Sequence, residues 1–332
     1  MKLFAFTKTT DIADAIKEAT SAAASPQGAK AKYIAGGTTL LDLMKLNVEE
    51  PGTLVDINKL PLDKIETTRD GGLKIGAMVK NADLASHPFV KSQFPVLSEA
   101  LLSGASAQLR NMATTGGNLL QRTRCVYFRD TAFACNKREP GSGCPAIEGE
   151  NRTLAVLGTS DSCIATNPSD MNVALMALEA TIVINGTGGE REVPINDFYL
   201  LPGSTPHLEN VLKPGELITH VVVKGLPAGS KSMYLKLRDR ASYEFALASA
   251  AVIVQMEGGK FSRVRIALGG VGTKPWRSLE AEKFLTGSAV NEANFRKAAE
   301  EALHAARPQS QNKFKVELAK RCLTHTLKLV SS

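Results

Sequence analysis

The stretch CVYFRDTAFACNKREPGSGC, residues 125 to 144, holds three of the chain's five cysteines, and a fourth, Cys163, follows nineteen residues later. It lies in a segment, residues 120 to 168, that shows neither the 3.6-residue period of a helix nor the two-residue period of a strand. Such a segment has too little apolar surface to order itself, so a staple other than a hydrophobic core is expected. Disulfides fit poorly, because the cysteine count is odd and the first residues lack the apolar run and cleavage site of a secretory signal. Structural zinc usually shows a C-x₂₋₄-C knuckle, whereas the gaps here are nine, eight and eighteen residues. Four thiolates on a glycine- and proline-punctuated loop also suit a [4Fe–4S] cube. Spacing leaves zinc and iron–sulfur both open. Arg122, Arg124, Arg129, Lys137 and Arg138 crowd the same loop, either to offset thiolate charge or as ordinary solvated cations. Cys322 stands apart: with Leu318 and Leu329 it falls on the apolar face of the last helical segment and is read as core packing.

The 332 residues, 43% of them hydrophobic, suffice for two or three domains. No segment reaches the roughly 18 apolar residues that span a bilayer, so no membrane insertion is expected. The net charge of +7 is spread along the chain without basic runs, which speaks against nucleic acid and for a mildly basic surface, one suited to an acidic partner subunit. Residues 10 to 24 read as a helix capped by Thr10 or Asp11 and stopped by Ser25-Pro26-Gln27-Gly28. Short strands are expected at TLVDI, LDKIETT and GLKIGAM, and one helical stretch over 91 to 109. A helix near 170 to 178 and strands near 181 to 185 and 218 to 223 follow. LPAGSK, residues 226 to 231, marks a domain boundary. Beyond it come β-rich patterns and helices near 278 to 286, 292 to 306 and 312 to 329. The fold class is α+β.

Two glycine pairs stand out. Tyr33, Ile34 and Ala35 run as a strand into Gly36-Gly37, Thr38-Thr39 and the helix-like Leu40-Leu41, a strand–turn–helix that presents backbone N–H groups suited to a phosphate. The plainer alternative is a turn whose glycines only supply positive φ. The pattern is not G-x-G-x-x-G, so a Rossmann fold is not indicated. Gly116-Gly117, eighty residues on and again beside threonines, makes a second such loop, and two loops of this kind could clamp one diphosphate, as in FAD.

Taken together, AGGTTLLDLMK, GASAQLRNMATTGGNLLQRTRC, CNKREPGSGC, CIATNPSDM, DFYLLPGSTPH and KLRDRASYEFALAS resemble the FAD-binding subunit of the molybdenum hydroxylases, the xanthine dehydrogenase family. More narrowly, they are similar to the flavin subunit of bacterial molybdenum-dependent aldehyde oxidoreductases that carries an additional [4Fe–4S] cluster. Hydroxybenzoyl-CoA reductase bears a comparable insertion and runs electrons the other way. The resemblance implies an FAD-binding domain of the PCMH (vanillyl-alcohol-oxidase-like) type over residues 1–228, with subdomains 1–58 and 59–228 and the cysteine insertion at 120–168. A C-terminal domain of the CO dehydrogenase flavoprotein type is implied over 229–332.

Carried over by position, the resemblance implies that Tyr33, Ile34, Ala35, Gly36, Gly37, Thr38, Thr39, Leu40 and Leu41 wrap the FAD diphosphate, closed from the other side by Thr115, Gly117 and Asn118. It implies further flavin contacts at Asp170, at Leu217 or Ile218, and at Lys236. It makes Cys125, Cys135, Cys144 and Cys163 the cluster ligands. A large molybdenum-cofactor subunit, a small [2Fe–2S] subunit and an external electron acceptor are the implied partners. The compartment would be cytoplasmic, or periplasmic if a partner with a twin-arginine signal carries the complex out. The residue facing the reactive edge of the flavin is not assigned.

Overall fold

A computed structural model of the chain describes residues 1–22 and 31–332. The N-terminal unit builds a parallel sheet from β1 (Ala5–Lys8), β2 (Ala31–Ile34) and β3 (Thr53–Asp56), in the order β1-β3-β2, with α1 (Ile12–Ala22) and α2 (Leu40–Lys45) in the connections. Asp11 caps α1, its Oδ1 accepting from the Ala13 and Asp14 amides at 2.8 and 3.1 Å. The expected stop at residues 25 to 28 lies outside the described residues. Ala15, Ile16 and Ala19 of α1 pack on Val55 of β3, as the period of the helix requires.

The middle unit opens with β4 (Ile65–Thr67), β5 (Leu73–Gly76), α3 (Asn81–Ser86), α4 (Pro88–Gln93), α5 (Pro95–Ser103), α6 (Ala107–Met112) and α7 (Thr115–Leu119). The single helical stretch expected over 91 to 109 is thus three helices. Pro95, which lacks an amide proton, starts α5 afresh, and Gly104 with Ala105 at φ 52° turns the chain before Ser106 caps α6. After α8 (Val126–Arg129) and the insertion come α9 (Asp170–Ala177), β6 (Thr181–Gly186), β7 (Gly189–Pro194), α10 (Ile195–Phe198) and β8 (Leu217–Val223). The five strands form an antiparallel sheet, β4-β5-β8-β6-β7. Leu73, Ile75, Ile182, Ile184, Val221 and Val223 share one core with Val96 and Leu97 of α5 and with Met171 and Leu175 of α9.

The C-terminal unit is the antiparallel sheet of β9 (Lys231–Leu237), β10 (Ala248–Glu257), β11 (Lys260–Gly269) and β12 (Trp276–Arg277), followed by α11 (Leu279–Leu285), α12 (Glu292–Leu303) and α13 (Phe314–Ser331). Its long central strand is buried on both faces. Ala248, Ala250, Val252 and Val254 meet the unit's own helices, while Ala251 and Ile253 join the core of the middle unit, which follows from the two-residue alternation of a strand. Cys322 is buried among Leu323, Leu327 and Val330, as expected for core packing, but Leu329 is exposed, because Val330 takes the inward place on the last turn.

The insertion does not sit on the middle unit alone. Val156 and Leu157 belong to the C-terminal core, and the Val156 amide donates to the Val271 carbonyl at 2.8 Å. The fully buried Lys315 donates to the carbonyls of Thr153, Leu154 and Gly270 at 2.8, 2.9 and 2.6 Å, using all three protons of an ammonium. The second half of the insertion is therefore fastened to the C-terminal unit, while its first half, as shown below, is fastened to α2.

Candidate functional site

The two glycine loops meet. A Cβ at Gly36 would overlap the Met112 carbonyl oxygen, two residues before the second loop begins. Gly116 is buried, its amide donates to the Ala77 carbonyl at 2.8 Å, and a Cβ there would lie 3.0 Å from that of Ala77. One glycine of each pair thus allows a close contact inside the protein, Gly36 with the Met112 carbonyl and Gly116 with Ala77. Gly37, at φ +71°, makes the turn into α2, and Gly117 is exposed, with only the Thr114 hydroxyl near.

Hydrogen bonding separates the loops further. In the first, the amides of Ala35, Gly36, Gly37, Thr38, Thr39 and Leu40 have no hydrogen-bond acceptor among the described residues, while the amides of Leu41 and Leu43 close onto the Gly37 and Thr39 carbonyls at 3.0 and 3.1 Å. Partly buried and consecutive, these open amides are a donor run of the kind that can take an anion. In the second, Thr115, Gly116, Gly117 and Asn118 donate to the Val79 carbonyl, the Ala77 carbonyl, the Thr114 hydroxyl and the Thr114 carbonyl. No backbone amide from Thr115 to Asn118 is left over there.

Asn118 and Asp170 enclose fifty-one residues of chain, yet the Ser169 hydroxyl, next to Asp170, donates to Asn118 Oδ1 at 2.7 Å. Asp170, the first residue of α9, is 8% exposed and accepts from Lys236 Nζ at 2.8 Å and from the Tyr234 hydroxyl at 2.5 Å. Lys236 also donates to the Ser103 carbonyl at 3.0 Å, as does Arg238. Burial and the neighbouring Asp170 carboxylate hold the Tyr234 hydroxyl well above its ordinary pKa, so it remains a donor. Asp170 and Lys236, both expected at the site, are thus brought together. Tyr234 was missed, although it lies two residues from Lys236 on one strand and so shares its face. The side chains of Leu217 and Ile218 are packed into the N-terminal and middle cores, the former in the cluster against which Tyr33 and Ala35 also pack. A cleft of about 780 Å³, mouth included, opens beside Asp170 between Thr123–Cys125 of the insertion and Glu244–Leu247 of the C-terminal unit.

Cys125, Cys135, Cys144 and Cys163 line one cavity of about 300 Å³, mouth included, with Phe128, Ala146 and Ala165. Cys125 also lines the cleft beside Asp170, so it is the wall between the two. Burial pushes the Cys125 thiol up to about 11 and raises Cys144 and Cys163 as well, with Lys137 drawing Cys163 back. The described residues contain no group of three His, Cys, Asp or Glu side chains close enough to hold a single metal ion. The loop is shaped by Asn136, whose Oδ1 accepts from the Gly141 and Gly143 amides at 3.1 and 2.8 Å and whose Nδ2 donates to the Ser162 carbonyl at 3.0 Å.

The five cations from Arg122 to Arg138 are engaged by acids or carbonyls rather than left to solvent. Arg124 and Arg129 converge on Asp42 Oδ2 of α2 at 3.1 and 2.8 Å. Arg122 pairs with Glu49 and Glu209, Lys137 with Glu209 at 2.8 Å, and Arg138 donates to the carbonyls of Tyr127, Phe128 and Phe133. Burial opposes ionisation of Glu209, yet Arg122 and Lys137 outweigh it and hold its carboxyl below the usual range.

A parallel N-terminal unit and a five-stranded middle unit thus meet beside a run of open amides, and a third unit closes over Asp170. The pattern described as the FAD binding domain in molybdopterin dehydrogenase matches residues 6–223, and that of the CO dehydrogenase flavoprotein C-terminal domain matches residues 233–330. The chain belongs to this family, the FAD-binding subunits of the molybdenum hydroxylases. It is 54% identical over 299 residues, 90% of each chain, to the aldehyde oxidoreductase FAD-binding subunit PaoB of Escherichia coli. It is 31% identical over 260 residues to the glyceraldehyde dehydrogenase medium chain of Sulfolobus acidocaldarius, covering 78% of this chain and 74% of that one. Among solved structures, carbon monoxide dehydrogenase from Hydrogenophaga pseudoflava superposes with a TM-score of 0.78 at 26% identity, over 99% of this chain and 98% of that one.

Proposed function

We propose that this chain is the FAD- and [4Fe–4S]-carrying electron-transfer subunit of a heteromeric molybdenum aldehyde oxidoreductase. It would take electrons from a partner with [2Fe–2S] clusters, serve a large molybdenum subunit that converts aldehyde to carboxylate, and deliver the electrons to an external acceptor. The aldehyde assignment rests on 54% identity, over nine tenths of both chains, to a subunit named for that activity.

The donor sets fit both groups. The six open amides from Ala35 to Leu40 would hold the FAD diphosphate, with Tyr33, Ile34 and Leu41 flanking them and Thr115, Gly117 and Asn118 as the opposing wall. Asp170, its charge offset by Lys236, would accept from hydroxyls of the cofactor while Tyr234 fixes its orientation. Leu217 and Ile218, with side chains in the cores, could reach a cofactor only through their main chain.

Cys125, Cys135, Cys144 and Cys163 would hold the cluster. A zinc ion with sulfur ligands at about 2.3 Å draws them together until their sulfurs are about 3.8 Å apart, whereas a cube of four irons needs them wider. Four thiols round one cavity supply the four sulfur ligands that a cube requires. When bound, the two cofactors supply the redox chemistry, and the chain supplies position, shielding and charge.

The observation that carries the cluster reading is the shared cysteine cavity, and Cys135→Ser tests it. The variant is expected to lose most of its iron and acid-labile sulfide, disorder much of residues 122 to 166 and hold less FAD, as read by metal analysis, proteolysis and acid-released flavin. Wild-type chain that contains zinc in place of iron, or FMN in place of FAD, would sink the reading. The chain alone should oxidise no aldehyde with any dye acceptor, and activity should appear only with the two partner subunits.

A further inference from the structure

We propose that Asp42 is the positioning residue through which the cysteine insertion holds the open-amide loop in its FAD-binding shape. The inference rests on the reading of these two sites as FAD and cluster sites. Asp42 lies on α2, the helix that begins where the amide loop ends, and the Gly37 and Thr39 carbonyls bond the loop to that helix. The insertion grips α2 at three points. Arg124 and Arg129 meet on one oxygen of Asp42, Leu43 is 1% exposed in the same small core as Cys125, Phe128 and Cys163, and Arg122 pairs with Glu49 just past the helix.

The contact has leverage because of its charges. Arg124 and Arg129 repel one another, and the Asp42 carboxylate is what lets them lie side by side. Both belong to the stretch from Thr123 to Arg129 that carries Cys125 and Phe128 into the cysteine cavity. An intact cavity therefore presents two guanidinium groups to Asp42, and a disordered one withdraws them and the packing under Leu43 together. The amide loop then loses its footing, since α2 has only six residues and cannot stand as a helix without tertiary packing. Cluster occupancy and FAD retention are thus coupled through α2.

The test uses the full-length chain isolated with its cofactors. FAD release after dilution is followed by recovery of flavin fluorescence, before and after anaerobic removal of iron by a chelator. Wild-type chain should release FAD about tenfold faster once iron is gone. Asp42→Asn should keep its iron yet release FAD about fivefold faster, which is what one or two half-exposed ion pairs are worth. Iron removal should then accelerate release from Asp42→Asn by a smaller factor than from wild type, and Asp42→Glu should recover part of the loss. A purely structural role would leave the iron effect the same in both proteins. That result, or wild-type release of FAD from Asp42→Asn, overturns the inference. If wild-type chain holds FAD and iron but releases FAD at one rate with and without iron, the coupling is wrong while the cofactor assignment stands. If it holds neither cofactor, both fall.

Discussion

The loops AGGTTLL, from Ala35, and TTGGNLL, from Thr114, read almost as mirror images in the sequence, but the structure gives them opposite tasks. The first keeps six consecutive amides open, whereas the second uses every amide from Thr115 to Asn118 on the protein itself. The difference comes from what lies underneath. The Thr115 loop rests on the residues just past β5, where the Ala77 and Val79 carbonyls are within reach, while the Ala35 loop leaves the edge of a parallel strand and turns into α2 with no carbonyl among the described residues placed to take its amides. A glycine-rich turn is thus an anion cradle only where the fold withholds acceptors from it. In the proposed site the second loop would serve as a wall, tied to the first by the contact at Gly36.

The largest effect that could break this comparison is expected from Gly36→Val. Its side chain would enter the space of the Met112 carbonyl, so the loops should part, with about 3 kcal/mol of lost stability and no FAD in the purified chain. Denaturant titration and acid-released flavin measure both, and a full complement of FAD would show that the contact does not shape the cradle. Gly37→Ala should act more mildly. At φ +71° an alanine costs about 1 to 2 kcal/mol, and the substitution should weaken FAD binding about tenfold with a small fall in Tm. The smallest effect on the cofactor should follow Thr114→Ala. Removing the hydroxyl that caps the Gly117 amide should cost about 1 kcal/mol of stability, a normal cap loss, and leave FAD affinity within about twofold. A tenfold loss of FAD affinity in that variant would mean that both loops hold phosphate and that the contrast drawn between them is wrong.

Local sequence was enough for much of this protein. Apolar periodicity marked the last helices to within a few residues, the glycine and threonine runs marked both loops, and the crowding of cysteines marked the insertion, because each of these signals lies within a few residues of the structure it causes. Asp170 and Lys236 were named by resemblance, residue by residue. What lies across the chain could not be read that way. Nothing local says that Gly36 is needed for Met112, that Asp42 sits between Arg124 and Arg129, or that Lys315 fastens Thr153 and Leu154 to Gly270. The break at Pro95 and Gly104 was visible but outweighed by a continuous apolar pattern. Whether an amide is open or filled depends on which carbonyl the fold brings within about 3 Å of it. The sequence determined which residues could bind, bend or carry charge, and the tertiary structure decided which of them were left free to do so, because hydrogen bonds and ion pairs are satisfied by neighbours in space and not by neighbours in the chain.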